Sequence, residues 1–198
     1  MKKYIAEFIG TFGLTLAVLG SLSAQGSLPT VLIAGITLGL FVATIGVISG
    51  AHINPAVTIG ALSLKKINLT DAVLYILAQF AGAALAMLIG KVNSLGGLLA
   101  SGFSWASLTA EFVGTLIFTF GIASIVLSKD SEDQKSNRAP LVIGGSLTLG
   151  ASLALALGSN AVLNPAVAFG IGSLGIVYII GPIIGSLSGM WLYKLLVE

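Results

Sequence analysis

Two identical tripeptides, Asn54-Pro55-Ala56 and Asn164-Pro165-Ala166, hold the most specific chemistry in this sequence. Asn is a favoured helix N-cap, and Pro suits the first helical position, where an N–H is not needed. Each triplet, continued by Val57 or Val167, therefore reads as the start of a short helix. A helix start leaves N–H groups unpaired and presents the positive end of the helix dipole. In apolar surroundings such a start must face protein or a water-filled cavity. Where two starts meet, each Asn amide can offer an N–H to a passing oxygen. The positive midpoint repels cations and orients a water so that proton hopping is interrupted, which suits a neutral, hydrogen-bonding solute. Glu7 and Glu111 lie inside apolar runs, where a carboxylate is costly and needs partners. His52 stands two residues before Asn54 and reads as a loop-fixing group; without a second His or any Cys, a metal site is not expected. Nor is a cofactor. No nucleophile–base constellation is present, so enzyme activity has no support.

Composition names the solvent for these groups. The 198 residues are 56% hydrophobic and 8% charged, with a net charge of +2. A soluble domain carries about a quarter charged residues, so most of this surface must face a lipid bilayer. The few charges sit at segment ends and form no basic face, which argues against a nucleic-acid partner. The opening Met1-Lys2-Lys3 and its apolar run resemble a signal peptide, with Ser21-Leu22-Ser23-Ala24 as a weak cleavage candidate. That run is long enough to span, and Glu7 lies within it.

A membrane helix needs about 20 mainly apolar residues. Six segments qualify, near 4–23, 29–48, 69–91, 104–128, 139–158 and 174–196. Between them, Ser49–Leu64 and Ser159–Ser173 are apolar but short, each contains Asn-Pro, and both read as re-entrant segments. With the N-terminus cytoplasmic, Lys2, Lys3, Lys65, Lys66, Lys129, Lys135, Arg138 and Lys194 fall inside and only Lys91 outside. This bias places both termini in the cytosol. The loop Lys129–Arg138 is then cytoplasmic, and its mixed charges read as simple solvation.

The chain also repeats. Ala6-Glu7-Phe8-Ile9-Gly10-Thr11 returns as Ala110-Glu111-Phe112-Val113-Gly114-Thr115, and Tyr75 with Gly82 returns as Tyr178 with Gly185. The triplets recur at nearly the same offset. Each half holds three spans, so the second is inserted upside down, an inverted repeat with its site near the midplane. The expected fold is an all-α membrane protein of six transmembrane helices plus two half-helices, one channel domain over 1–198 with repeats near 1–92 and 103–198. Pairs such as Gly35/Gly39, Gly46/Gly50 and Gly185/Gly189 have small-xxx-small spacing, which permits close helix packing.

The segment from Ile48 to Thr58 resembles the first re-entrant loop of the aquaporin and glycerol-facilitator family almost letter for letter. Ala6–Thr11, Tyr75 with Gln79 and Gly82, and Gly181-Pro182 with Gly185 are similar to the family at the matching spans, so the likeness covers about 4–196. It implies a right-handed six-span bundle, usually a homotetramer with one pore per subunit. It also implies that Glu7 and Glu111 sit under the re-entrant loops and bind their backbone. The expected location is the inner or plasma membrane of a prokaryote.

One departure from the family is informative. Most relatives follow the second triplet with Arg, which lines the outer constriction; here that residue is Val167, and the only Arg is Arg138. Counting from the triplets as the family does gives Ala34, Ser152 and Ala161 as the other constriction residues, with Gly150 or Ala151 in place of Ser152 if the segment before the second triplet carries an insertion. Such a ring is small, uncharged and wide, and pore diameter and lining polarity set selectivity. The expected function is a passive channel for water and small neutral solutes such as glycerol, urea or undissociated metalloid acids. The alternatives are a strict water channel or an ion-coupled transporter using Glu7, Glu111 or His52.

Overall fold

The structure, a computed structural model, describes residues 1–23, 28–96 and 103–198. Ala24, the last residue of the cleavage candidate, lies outside the described residues. Among the described residues, six helices are long and apolar enough to cross a membrane: α1 (Lys2–Ser23), α2 (Thr30–Ser49), α4 (Leu69–Val92), α5 (Trp105–Val126), α6 (Glu132–Ala156) and α8 (Val177–Val197). Two short helices interrupt the series, α3 (Pro55–Ser63) and α7 (Pro165–Gly170). Among the described residues there is no strand.

The helices follow the expected spans closely, and one difference has a local cause. The fifth span begins not near 139 but at Glu132, inside the polar loop. Ser131 and Gln134 form a capping box there, with Gln134 N donating to Ser131 Oγ at 3.3 Å and Ser131 N donating to Gln134 Oε1 at 3.1 Å. This reciprocal cap starts a helix that Pro140, in its third turn, does not stop. The same stretch holds its charges in pairs, Arg138 with Asp130 and Lys135 with Glu132.

Packing repeats between the halves. α1 lies on α4 as α5 lies on α8, and α2 lies on α6 across the seam. Both intra-half contacts bring backbone against backbone. A Cβ at Gly82 would fall 2.3 Å from Phe8 O, and one at Gly185 would fall 2.5 Å from Phe112 O, so only glycine permits either approach. The seam uses Gly35 and Gly39 in the same way, against the carbonyls of Gly144 and Pro140. The pair Gly46/Gly50 behaves differently. A Cβ at Gly46 would meet nothing closer than 3.9 Å, and Gly50, at φ 85°, closes α2 as a left-handed cap. At the end where α1 and α4 begin, Lys3 Nζ and Tyr4 Oη each donate to Asp71 at 2.7 Å. This tie marks the N-terminal face of the bundle.

Candidate functional site

Asn54 and Asn164 each cap a short helix from an extended backbone, at φ −158° and −148°. Asn54 Oδ1 accepts from Ala56 N at 2.9 Å, and Asn164 Oδ1 accepts from Ala166 N at 3.0 Å and Val167 N at 3.3 Å. The amides then cross over. Asn54 Nδ2 donates to Leu163 O and Asn164 Nδ2 donates to Ile53 O, both at 2.9 Å. The starts of α3 and α7 therefore abut at the centre of the bundle. An amide carries two N–H donors, so each Asn can lock the other loop with one N–H and point the second elsewhere.

The loops that lead into α3 and α7 are strained in the same pattern. Ala51 and Ile53 have φ of 49° and 39°; Ala161 and Leu163 have φ of 55° and 53°. Left-handed backbone at a non-glycine residue costs on the order of 1–3 kcal/mol and persists only where neighbours over-determine it. Glu7 and Glu111 supply that constraint, each with no exposed surface. Glu7 accepts from His52 N (2.9 Å), Ile53 N (2.6 Å), Ser49 Oγ (2.7 Å) and Gln79 Nε2 (2.8 Å). Glu111 accepts from Val162 N (3.0 Å), Leu163 N (2.7 Å) and Ser159 Oγ. In α8 the place of Gln79 is held by Pro182, so Glu111 has no amide donor from that position. Tyr75 Oη completes the first loop by donating to Ser49 O at 2.9 Å. His52 stacks edge-on against Tyr75, and its Nδ1 lies 3.2 Å from Thr58 Oγ1.

A cavity of about 400 Å³ runs from His52 and the two Asn residues to Leu22, Pro29 and Thr30 near the far face. A second, of about 570 Å³, opens on the N-terminal face among Lys3, Lys65, Lys66 and Asp71. His52 borders both. The first is lined by Ala34, Ala161 and Val167 of the expected constriction and, from α6, by Ala151 rather than Ser152. Successive helical residues point about 100° apart, so turning Ala151 inward turns Ser152 away. Ser152 Oγ instead donates to Thr148 O at 2.8 Å. The segment before the second triplet is also longer than its counterpart in the first half. The left-handed glycine that closes the preceding span is Gly50, four residues before Asn54, but Gly158, six before Asn164. Among the described residues, no Asp, Glu, Lys or Arg lines this cavity.

A family model, that of the major intrinsic proteins, matches residues 1–193. The chain belongs to this family. Among curated relatives it is similar to aquaporin NIP1-1 of Oryza sativa subsp. japonica, at 31% identity over 99% of this chain and 74% of that protein. It is also similar to a probable NIP-type aquaporin of Nicotiana alata, at 33% over 99% and 78%, and to nodulin-26 of Glycine max, at 28% over 98% and 78%. In fold it matches the aquaglyceroporin of Plasmodium falciparum with a TM-score of 0.62, at 20% identity, covering 98% of this chain and 94% of that one. The protein is thus an integral multi-pass membrane protein of the aquaporin family, a channel for water and small solutes and not an enzyme. These relatives are plant proteins and lend nothing to a prokaryotic location.

Two features of this aquaporin-family site were not read from the sequence. One is the long apolar lining contributed by spans, including Leu14, Val18, Leu38, Phe118 and Leu147. Helical periodicity cannot separate a pore-facing from a core-facing apolar stripe. The other is Asn160, which lines the cavity and donates from Nδ2 to Tyr178 Oη at 2.8 Å. The repeat carried a signal for it, since the equivalent residue counted from the first triplet is Gly50.

Proposed function

We propose that the protein passively conducts water together with larger uncharged molecules, of the size of glycerol, urea or an undissociated metalloid acid, through a wide constriction that lacks arginine. The observation that carries this reading is the small, uncharged set Ala34, Ala151, Ala161 and Val167 lining a cavity of about 400 Å³ beside the paired Asn residues. Asn54 and Asn164 offer N–H donors at the midpoint, where the two helix starts keep the potential positive and disfavour cations. Charge from elsewhere does not substitute for the missing arginine, because Arg138 is paired with Asp130 beside the start of α6. The carboxylates Glu7 and Glu111 serve the loops, with their oxygens taken by loop N–H groups, and this supports a channel over an ion-coupled transporter. The two halves act as inverted repeats with both termini in the cytosol, and the chain assembles as a homotetramer with one pore per subunit.

Solute flux into reconstituted vesicles, measured with and without imposed proton and sodium gradients, tests this function. Equal flux of water and glycerol in every gradient is expected. Glycerol accumulating against its own gradient when a proton gradient is imposed contradicts a passive channel, and flux of water alone makes it a strict water channel.

A further inference from the structure

The N-terminal face holds cations that no carboxylate neutralises. Of the seven Asp and Glu residues, Glu7 and Glu111 hold the re-entrant loops. Asp71, Asp130, Glu132 and Glu198 pair with Lys3, Arg138, Lys135 and Lys194, and Asp133 lies in the first turn of α6. Lys65 and Lys66 are exposed and, among the described residues, form no ion pair. Both border the cavity of about 570 Å³ on this face, together with Lys3 and Asp71. Three lysines against one carboxylate leave this cavity with a charge of +2, His52 counted as neutral. Asp71 is already held by three donors, Lys3 Nζ, Tyr4 Oη and Asn68 Nδ2, each at 2.7 Å.

The turn that carries the free pair departs from what its backbone prefers. α3 ends in a Schellman turn, with Lys66 N donating to Ala61 O and Lys65 N to Leu62 O, both at 2.9 Å. The left-handed position of that turn is Lys65, at φ 57°. α7 ends in the same turn, with Ser173 N donating to Ala168 O and Gly172 N to Phe169 O. There the left-handed residue is Gly172, at φ 78°. The first half thus keeps a lysine where the second uses glycine, and carries the strain of a side chain in that conformation.

We propose that this cavity is a receptor site for a phosphomonoester dianion, which throttles the N-terminal mouth of the channel when bound. At neutral pH a phosphomonoester carries about two negative charges and three acceptor oxygens, which matches the charge of the cavity. Ammonium groups on adjacent residues, with no carboxylate of their own, suit oxygens shared by one doubly charged group. His52 borders this cavity and also the one that reaches the Asn pair. A phosphate held at Lys65 and Lys66 therefore stands over the His52 end of the passage. The same group is offered by soluble phosphate or by a phosphomonoester lipid headgroup at the membrane surface. The site is independent of the width of the constriction, because water flux alone reports on the mouth.

Stopped-flow water flux into vesicles carrying the full chain, with protein-free vesicles subtracted, tests the site at a pH above the second phosphate pKa of about 6. In phosphatidylcholine vesicles, inorganic phosphate on both sides should lower water flux saturably, against chloride at equal ionic strength. Lys66→Gln should raise the half-effective phosphate concentration about twofold to fivefold, and Lys66→Arg should leave it near wild type. Lys65→Gly removes the charge together with the left-handed strain, so it should insert as wild type does and weaken the response alike. A lipid source shows instead as slower water flux with phosphatidic acid than with phosphatidylglycerol at equal content, again relieved in Lys65→Gly and Lys66→Gln. Water flux that neither inorganic phosphate nor phosphatidic acid lowers overturns the site. So does a lowering of equal size in wild type and in both charge-removing variants. If the mouth responds to phosphate and glycerol does not pass, the wide pore alone fails.

Discussion

Glu7 and Glu111 occupy positions that a membrane helix tolerates only for a reason, and their hydrogen bonds supply it. Each holds a loop whose backbone is left-handed at two non-glycine residues, through N–H groups that have no water to turn to. Glu7→Gln keeps one acceptor oxygen, so it should retain most water flux. Glu7→Leu strands two backbone N–H groups, at about 1–3 kcal/mol for each, and should lose flux and thermal stability together, as read by stopped-flow and by melting in detergent. If Gln abolishes transport as completely as Leu, the negative charge itself is needed and the structural role is wrong. The Asn pair makes a second prediction at this scale. Asn54→Asp or Asn164→Asp exchanges the Nδ2 donor, bound 2.9 Å from the opposite loop's carbonyl, for an acceptor that repels it. Either variant should insert with neutral-solute flux cut several-fold or with measurable cation leak. Unchanged flux and unchanged ion exclusion in both would remove the Asn residues from the conduction path.

At the scale of elements, much was legible because lipid imposes simple rules. Segments of about 20 apolar residues give the six spans, and Asn-Pro in a segment too short to cross gives the half-helices. What was not legible depended on local hydrogen bonds or on how a helix is turned. The capping box at Ser131 and Gln134 extends α6 into a charged stretch that hydropathy treats as loop. Which of Gly150, Ala151 and Ser152 faces the cavity stayed open in the sequence, and the turn of α6 makes it Ala151. Small-xxx-small spacing marks close packing at Gly35/Gly39 and Gly185/Gly189 but not at Gly46/Gly50, where the second glycine is needed for its positive φ. This distinction is testable by substitution. Gly82→Val would force a side chain into the carbonyl of Phe8 and should cost about 1–3 kcal/mol or prevent assembly. Gly145→Ala meets nothing within 4 Å and should leave the melting temperature unchanged or raise it, consistent with a gain of about 0.5–1 kcal/mol in a helix interior. Equal loss of stability in both would mean that α1 and α4 do not touch as described.

For the whole molecule, the proposed orientation rests on the positions of Lys and Arg, and the proposed cargo on the pore lining. Eight of the nine basic residues, all but Lys91, lie on the N-terminal side of the spans. A reporter that fluoresces only in the cytosol should therefore light up when fused after Glu198, and a dark, correctly inserted fusion would reverse the topology. In the proposed reading the cargo depends on the constriction, where neither Val167 nor Ala34 is bulky or charged. Both lie on one cavity with Ala151 and Ala161, so filling either position removes cross-section from the same passage. Arginine at Val167 would add a charge with no acidic residue among the described lining to hold it. An aromatic at Ala34 is therefore the cleaner change. The most direct measurement is stopped-flow light scattering of vesicles carrying wild type or Ala34→Phe, with water and glycerol fluxes taken from one preparation. The wide-pore account predicts that wild type passes glycerol well above protein-free vesicles, and that Ala34→Phe reduces glycerol flux several-fold more than water flux. Wild-type vesicles that conduct water while glycerol enters no faster than through bare lipid would contradict it.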